Sequence, residues 1–291
     1  MTKTKSKPRP VGELDHAKID PTYCLADGLF RPLRRLAQTP PLDIQYLHKK
    51  HYILHWQGKA ALNVSDQSTL IALLRIASEE ERSILIDAEK LSTTPDFSRF
   101  LVGLNKAYMA EHQSCALIET TCYELSKRLG LAKSGTNNRS IKASLERLAQ
   151  TRSTILKTAS NPEDSPYWAS QILSCTNEDD KLNVAFNPML TQALYKPPFT
   201  FINLQEQRQL SGEVAKRLHV WLSCWLGPSQ ERTLELNKLI PHVWGSNAVG
   251  NILRTRRNSL RQAITEIAAL DGWTCNESAT GSSLTVARPK L

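Results

Sequence analysis

Four arginines lie within eight residues near the C-terminal end of the chain, in the segment Arg254-Thr-Arg-Arg-Asn-Ser-Leu-Arg261. A guanidinium group can donate two parallel hydrogen bonds to a guanine or to a phosphate. No acidic residue accompanies the arginines between residues 251 and 265, whereas an ordinary surface helix mixes charges of both signs. The pattern therefore indicates a helix offered to the major groove of DNA rather than a solvated helix face.

Helical periodicity divides this segment into two faces. An apolar arc, drawn at about 100° per residue, would face a core and comprises Leu253, Leu260, Ile264 and Ile267. The residues predicted to read base edges are Asn251, Thr255, Asn258 and Gln262, with Arg254 and Arg261 beside them. Arginine can fork onto guanine, and asparagine or glutamine onto adenine. Arg256 and Arg257 lie nearer the apolar arc, and we expect them to clamp phosphates.

The elements around this helix follow the order of a winged helix-turn-helix. In chain order they are an amphipathic helix over residues 212–226, a strand over 232–236, a short helix that Asn237 would cap, a long helix over 250–270, and a hairpin of strands over 273–277 and 283–288. This order makes the arginine-rich helix the recognition helix of the unit. Arg288, at the end of the hairpin, would contact phosphate.

A second copy of the same order precedes it. The predicted elements are a strand over 115–118, a helix with a capping box of Thr121 and Glu124 that ends at Gly130, a turn over 134–138, a helix carrying Ile141, Leu145 and Leu148, and strands over 153–158, 168–174 and 182–186. Arg139 and Glu146 would point outward from the second of these helices, with Lys142 and Arg147 on either side. We expect Arg139, Lys142, Arg147 and Lys157 to contact DNA.

The chain is therefore predicted to be α+β, with two tandem winged helix-turn-helix domains. A hairpin over residues 42–48 and 51–56 and a helix capped by Ser65 or Asp66 would open the first domain. The predicted division is a basic N-terminal arm over 1–40, a first winged-helix domain over 41–205 and a second over 206–291.

Composition favours an anionic partner and argues against chemistry at a catalytic centre. Lys and Arg exceed Asp and Glu by 37 − 28 = 9. No run is long enough for a membrane span and no signal-peptide pattern opens the chain, so a cytoplasmic protein is expected. The segment Gly130-Leu-Ala-Lys-Ser-Gly135 lacks the ending of a phosphate loop. The scattered cysteines and the strand histidines His48, His51 and His55 do not suggest a metal site, so we expect no enzyme, cofactor or metal.

Several segments share residues with one known family. They are Tyr23-Cys-Leu-Ala-Asp-Gly-Leu-Phe-Arg31, Leu182-Asn-Val-Ala-Phe-Asn-Pro188, Ala215-Lys-Arg-Leu-His219, and a C-terminal block from Val243-Trp244 through Gly272-Trp273-Thr274 to residues 285–290. In these the chain resembles the replication initiators (RepC) of IncQ-type broad-host-range plasmids. The resemblance implies a protein that binds direct repeats (iterons) at a plasmid origin, promotes opening of an AT-rich region and recruits the plasmid's replicative helicase. It also implies a role in plasmid copy control and the tandem winged-helix fold.

The residues alone leave one rival open. A winged-helix transcriptional repressor would use the same recognition residues on a palindromic operator, as a stable dimer, whereas an initiator binds direct repeats.

Residues 24–35 mix apolar and basic side chains and are predicted to form a partner surface or the surface of a homodimer.

Overall fold

The computed structural model describes residues 15–33, 39–48, 52–79, 82–86, 114–157, 168–178 and 180–290. Residues 1–14 and 34–38 of the predicted arm, and His51 of the predicted histidine group, lie outside these ranges. Among the described helices, none combines the length and the apolar character that a membrane span requires.

The first unit mixes short helices with antiparallel strands. Its elements are β1 (His16–Ile19), α1 (Pro21–Leu25), β2 (Phe30–Arg31), β3 (Leu42–His48), β4 (Tyr52–Gly58), β5 (Leu62–Asn63), α2 (Val64–Ala77), β6 (Ser83–Ile86), β7 (Cys115–Thr121), α3 (Cys122–Arg128), α4 (Gly135–Ala149), β8 (Arg152–Lys157), β9 (Trp168–Gln171), β10 (Leu173–Glu178), β11 (Lys181–Phe186), α5 (Pro188–Tyr195) and β12 (Thr200–Asn203). Helices α2, α3 and α4 with the β8–β9 ribbon form its winged helix-turn-helix.

The second unit repeats this order with fewer additions. Its elements are α6 (Leu204–Gln209), α7 (Glu213–Trp225), β13 (Glu231–Glu235), a 3₁₀ turn (Leu236–Lys238), α8 (Leu239–Trp244), α9 (Gly250–Ala268), β14 (Thr274–Glu277) and β15 (Ser283–Ala287). The strands form a sheet in the order β13-β15-β14. Two tandem winged helix-turn-helix units in an α+β chain are what the sequence predicts.

Two four-stranded antiparallel sheets extend the first unit, in the orders β3-β4-β8-β9 and β10-β11-β7-β6. The hairpin predicted from residue 42 is present, and β4 also pairs with β8, so that Leu54 lies opposite Ile155. Residues 168–174, predicted as one strand, are broken at Ile172. This fully buried residue bonds to Thr151, and the chain passes there from one sheet to the other. A periodicity of two in the sequence does not reveal such a change of sheet.

Side-chain caps fix the starts of α2, α3 and α4, and two of these starts differ from the prediction. Asn63, rather than Ser65 or Asp66, caps α2: its side chain accepts from the Asp66 N–H, and the Asp66 carboxylate accepts from the Asn63 N–H. Ser134 caps α4 by accepting from the Asn137 N–H, so residues 135–138 form the first helical turn instead of a loop. The cap predicted at Thr121 is confirmed, but the Glu124 carboxylate accepts from Thr120 and Arg82 instead of completing the predicted capping box.

The N-terminal segment over residues 15–33 is folded, which corrects its assignment to an arm. Strand β1 pairs with β12, and β2 pairs in parallel with β5. Cys24 and Phe30 are fully buried, so the described part of residues 24–35 contributes to the core instead of a partner surface. The reason is apolar content: a segment that carries this many large side chains gains more from burial than from remaining an arm.

The same segment ties the two units together. Arg217 of α7 is fully buried and donates to the carbonyls of Cys24 at 2.7 Å and Ala26 at 3.3 Å. Burial lowers the pKa of Arg217 to about 10. Gly245, which ends α8 in the left-handed region, lies against Gly28; a Cβ atom on Gly245 would come within 2.5 Å of the Gly28 Cα. Only glycine fits at such a contact.

A buried polar network joins α6, α7 and the residue that precedes β14. The His219 ring is fully buried: Nδ1 accepts from Gln207 Nε2, and Nε2 donates to the Glu206 carboxylate, both at 2.6 Å. The Trp273 Nε1–H donates to the same carboxylate at 3.1 Å. Burial alone would raise the pKa of Glu206, but the hydrogen bonds from His219 and Trp273 outweigh it and hold that pKa below its ordinary value.

Candidate nucleic-acid interface

Helix α9 carries the candidate interface, and its buried face holds it in place. Leu260, Ala263, Ile264 and Ile267 pack into the second core, which α7, α8 and the β14–β15 hairpin complete. The apolar arc predicted from the sequence is therefore the buried face, with Leu253 packed at its edge. Anchored from Leu253 to Ile267, the helix presents its opposite face as a rigid surface.

The opposite face is exposed and free of acidic groups from residue 251 to residue 265. The residues on it are Asn251, Arg254, Thr255, Asn258, Arg261, Gln262 and Thr265. The placement of the six predicted base readers agrees with the sequence analysis. Arg254 has no hydrogen bond or ion pair with any residue that the structure describes, so its guanidinium is available to a ligand.

Arg256 and Arg257 are half-buried and tied to the protein. Arg256 lies over the Trp244 ring at 5.2 Å and donates to the Ser246 carbonyl at 2.7 Å; burial lowers its pKa. Arg257 Nε donates to Asn237 Oδ1 at 2.7 Å. Asn237 was predicted to cap α8, but it lies in the 3₁₀ turn before that helix and accepts from Arg257 instead. Both arginines thus brace the helix-turn-helix, with their outer N–H groups left for a phosphate.

Arg261 already has an acidic partner on the wing. Its guanidinium is bidentate on Glu277 of β14, with Nη2 at 2.8 Å and Nε at 3.0 Å from Oε1. The hydrogen bonds and the negative charge of Glu277 raise the pKa of Arg261. Sequence spacing could not show this pair, because β14 returns to α9 only after a turn.

The start of α9, like those of α7 and α8, has no side-chain cap. Val249 occupies the N-cap position, and its side chain cannot accept a hydrogen bond from the first-turn N–H groups. Val249 is 81% exposed and Ile252 is 59% exposed. Neither residue is among the predicted contacts. The sequence feature that could have identified them is an apolar side chain outside the buried arc, beside the amide of Asn251.

A groove of about 650 Å³ runs beside this face. Asn251, Ile252, Thr255 and Arg256 line one side, and the start of α7 lines the other. Glu266 closes its far end by accepting from the backbone N–H groups of Ser211 and Gly212 at 2.8 and 3.1 Å. Burial would raise the pKa of Glu266, but these bonds lower it. The ionised carboxylate limits an anion-binding surface to the first turns of α9.

In the first unit, α4 presents a sparser basic face. Arg139 and Lys142 are exposed as predicted, and so is Glu146. The exposed residues that the sequence analysis missed are Tyr123, on α3, and Lys133, whose ammonium lies 5.5 Å from the Tyr123 ring. The sequence feature that could have identified them is the turn between the two helices, because a winged helix places this turn next to the recognition helix.

Arg147 does not face outward from α4, which corrects its assignment as a DNA contact. Its guanidinium pairs with the fully buried carboxylate of Asp66, with Nη2 2.7 Å from Oδ1 and Nε 3.0 Å from Oδ2. Burying an unpaired charge costs free energy, so the buried Asp66 carboxylate is stabilised by its ion pair with Arg147. Arg147 is thus a structural link between α2 and α4.

Almost the whole chain, residues 11–290, matches the family described as Replication protein C (RepC). The chain belongs to the RepC family. The match includes both winged-helix units and the N-terminal segment, so the resemblance noted in the sequence is confirmed at the level of the family. No curated protein sequence matches this RepC chain significantly.

Two solved structures support the fold of the RepC chain. Crystal structures of domains 2 and 3 of RctB, one of them a selenomethionine derivative, superpose with TM-scores of 0.56 and 0.55; each covers 94% of this chain, and 99% and 97% of the RctB chains are covered. Identity is 9% in both. The Pi initiator protein in complex with iteron DNA is 17% identical, with a TM-score of 0.35 over 77% of this chain and 89% of its own, which is too weak to add to the fold.

Two further predicted contacts of the RepC chain have different outcomes. Arg288 is 6% exposed and donates to the carbonyls of Ser223, Leu226 and Phe201, the last at 2.8 Å. Burial lowers its pKa, and the group fastens the end of the wing to α7 and β12. The predicted phosphate contact of Arg288 is therefore wrong. Lys157 is the last residue of β8, and its predicted DNA contact stays a prediction.

Proposed function

We propose that this RepC-family protein is a non-enzymatic initiator that binds direct repeats at a plasmid replication origin. The observation that carries the proposal is the outer face of α9: exposed amides, a threonine and two arginines on a rigid recognition helix, with no acidic group between residues 251 and 265. These are the side chains that read base edges in the major groove. The net charge of +9 supplies the long-range attraction to the phosphate backbone.

Both units would contact the same DNA, with α4 and α9 in successive major grooves about 10.5 base pairs apart. In the first unit, Arg139, Lys142 and Lys133 would hold phosphates. In the second, Arg256 and Arg257 would do so from their braced positions. Such contacts release counterions, so affinity falls steeply as salt concentration rises.

Opening of the AT-rich region would follow from bending of the DNA over repeated copies of the protein, without nucleotide hydrolysis. Recruitment of the plasmid's replicative helicase and homodimer formation in the cytoplasm belong to the same proposal, and they rest on the family. The chemistry of the described surface supports the DNA-binding step most directly.

Footprinting on the replicon that encodes the protein tests the proposal. We expect protected segments that recur at a direct-repeat interval. Protection of a single inverted repeat would instead support the repressor, and uniform protection without any preferred site would contradict both functions.

Substitutions test the placement of the interface. Arg254→Ala, Asn258→Ala and Arg261→Ala should each weaken binding to the repeats, and each arginine variant should reduce the dependence of affinity on salt. Arg232→Ala is the matched control, because that exposed arginine lies over the Trp225 ring on β13 rather than on α9. Unchanged affinity and salt slope in all three α9 variants would remove the interface from this face.

A further inference from the structure

An apolar patch interrupts the polar face at the first turn of α9. Val249 and Ile252 expose 81% and 59% of their surface, the latter within a helix whose other large aliphatic residues pack into the core. Exposing an isoleucine to water gains nothing for folding. Its position beside Asn251 and Thr255, where a recognition helix meets bases, suggests that the patch is covered when DNA is bound.

Thr255 extends the patch. Its hydroxyl donates to the Asn251 carbonyl at 3.0 Å, so the hydroxyl proton is used within the helix. The γ-methyl is the apolar group that Thr255 offers to an outside contact. Val249, Ile252 and the Thr255 methyl, which we call the methyl patch, therefore lie together at the start of α9.

We propose that the methyl patch contacts the 5-methyl groups of thymines, so that the second unit selects A·T base pairs within the repeat. In the major groove, the thymine methyl is the apolar feature that distinguishes A·T from the other pairs, and the adenine edge offers an acceptor and a donor to an amide. Asn251 and Gln262, on the same exposed face, have the amides for that edge.

The charges around the methyl patch favour DNA over an apolar protein partner. Arg254 has no partner in the described chain, and Arg256 borders the patch on its other side. The first-turn N–H groups of α9 are not capped by Val249. A protein partner would have to bury these donors, whereas a DNA groove brings phosphates to them.

The inference rests on the proposed function and has a direct test. Binding of the full-length protein would be measured by fluorescence anisotropy on a duplex of one repeat, and on duplexes in which single thymines are replaced by deoxyuridine. This exchange removes one methyl group and leaves the hydrogen-bonding edges unchanged. Loss of one buried methyl group corresponds to about a fourfold loss of affinity, and we expect this at one or two thymines.

A variant cycle assigns the loss to the patch. Ile252→Ala should bind the thymine duplex several-fold more weakly than wild type and should show no further loss on the deoxyuridine duplex. Ile84→Ala is the matched control, because Ile84 is 58% exposed but lies on β6 in the first unit. The control should keep wild-type affinity and the full deoxyuridine effect.

The outcomes separate the two proposals. Equal affinity for thymine and deoxyuridine duplexes at every position, with a retained preference for the repeat over random DNA, overturns the methyl contact alone. An unchanged affinity of Ile252→Ala also overturns it and would assign the patch to a protein partner. A wild-type protein that shows no preference for the repeat contradicts the proposed function itself.

Discussion

Helices α4 and α9 occupy the same place in two copies of one supersecondary unit, but they use their charged residues differently. Ser134 caps α4, Glu146 is exposed on it, and Arg147 is committed to the buried carboxylate of Asp66. Helix α9 has an apolar residue at its N-cap and an outer face without acidic groups as far as residue 265. The scaffold is shared, whereas the surface that we propose to read DNA is concentrated in the second unit.

The difference separates affinity from specificity. The free cations of α4 are well suited to phosphates, which carry no sequence information. The amides and the unpaired Arg254 of α9 are suited to base edges. If this division is correct, variants in the two helices should fail in different ways.

The largest effect is expected on stability, from the pair of Arg147 with the buried Asp66 carboxylate, because the arginine pair of α9 is exposed. Asp66→Ala leaves Arg147 half-buried without its partner and should lower the free energy of unfolding by about 3–5 kcal/mol. Glu277→Ala breaks the exposed pair of Arg261 and should cost about 0.2–1 kcal/mol. Urea denaturation measures both. Equal losses of unfolding free energy in the two variants would contradict the assignment of Asp66–Arg147 as a buried pair and Arg261–Glu277 as a surface pair.

The next effect concerns DNA binding. Asn258→Ala on α9 should reduce the affinity for the repeat by roughly tenfold, with little change for random DNA, because a good contact to a base edge is worth about 1–3 kcal/mol. Arg139→Ala on α4 should weaken both by the same factor and reduce the salt slope by about 1. Anisotropy titrations at several salt concentrations distinguish the two. A change of sequence preference in Arg139→Ala would break the division.

A smaller gain is expected from Glu277→Gln. In the proposed complex, the Glu277 carboxylate competes with DNA for Arg261, so neutralising it should strengthen DNA binding a few-fold. The number of counterions released on binding, which sets the salt slope, should rise by up to about one. Glu235→Gln is the control, since Glu235 pairs with Lys238 on the surface of the same unit. If Glu277→Gln weakens binding, the carboxylate orients Arg261 instead of competing for it.

The smallest effect is a pH dependence confined to the second unit. The pKa of Glu206 is lowered in the folded protein, so its ionised form stabilises folding at pH values above the ordinary carboxyl pKa of 4.5. That contribution is lost as the pH falls through the folded pKa. Below pH 4.5, the free energy of unfolding of the wild-type protein should therefore fall more steeply with decreasing pH than that of Glu206→Gln. Parallel pH profiles would contradict this.

Local signals in the sequence predicted most of the described helices and both faces of α9. The apolar arc of Leu260, Ile264 and Ile267 recurs with helical spacing, so it identifies the buried side without knowledge of the partner. The cap at Thr121 is likewise a property of a few neighbouring residues.

The errors over Arg147, Arg288 and the N-terminal segment share one physical cause, which is a partner distant in sequence. Asp66 lies 81 residues from Arg147, and Phe201 lies 87 residues from Arg288. An arginine that neutralises a buried carboxylate or fastens a strand end looks the same in sequence as one that awaits a phosphate. The prediction for the N-terminal segment was wrong for the same reason, because its partners are distant in sequence: Arg217 lies 193 residues from Cys24, and His242 lies 215 residues from Asp27.

The contacts of that segment also set the order in which the protein can fold during synthesis. Strand β1 emerges from the ribosome early, yet its partner β12 is completed only at Asn203, and Gly28 finds Gly245 later still. Pairings of such high contact order form slowly. The nascent first unit must therefore carry the unpaired edge of β1 until residue 203 has emerged, and Gly28 must wait for Gly245 of the second unit. It is during this interval that a chaperone would be needed most.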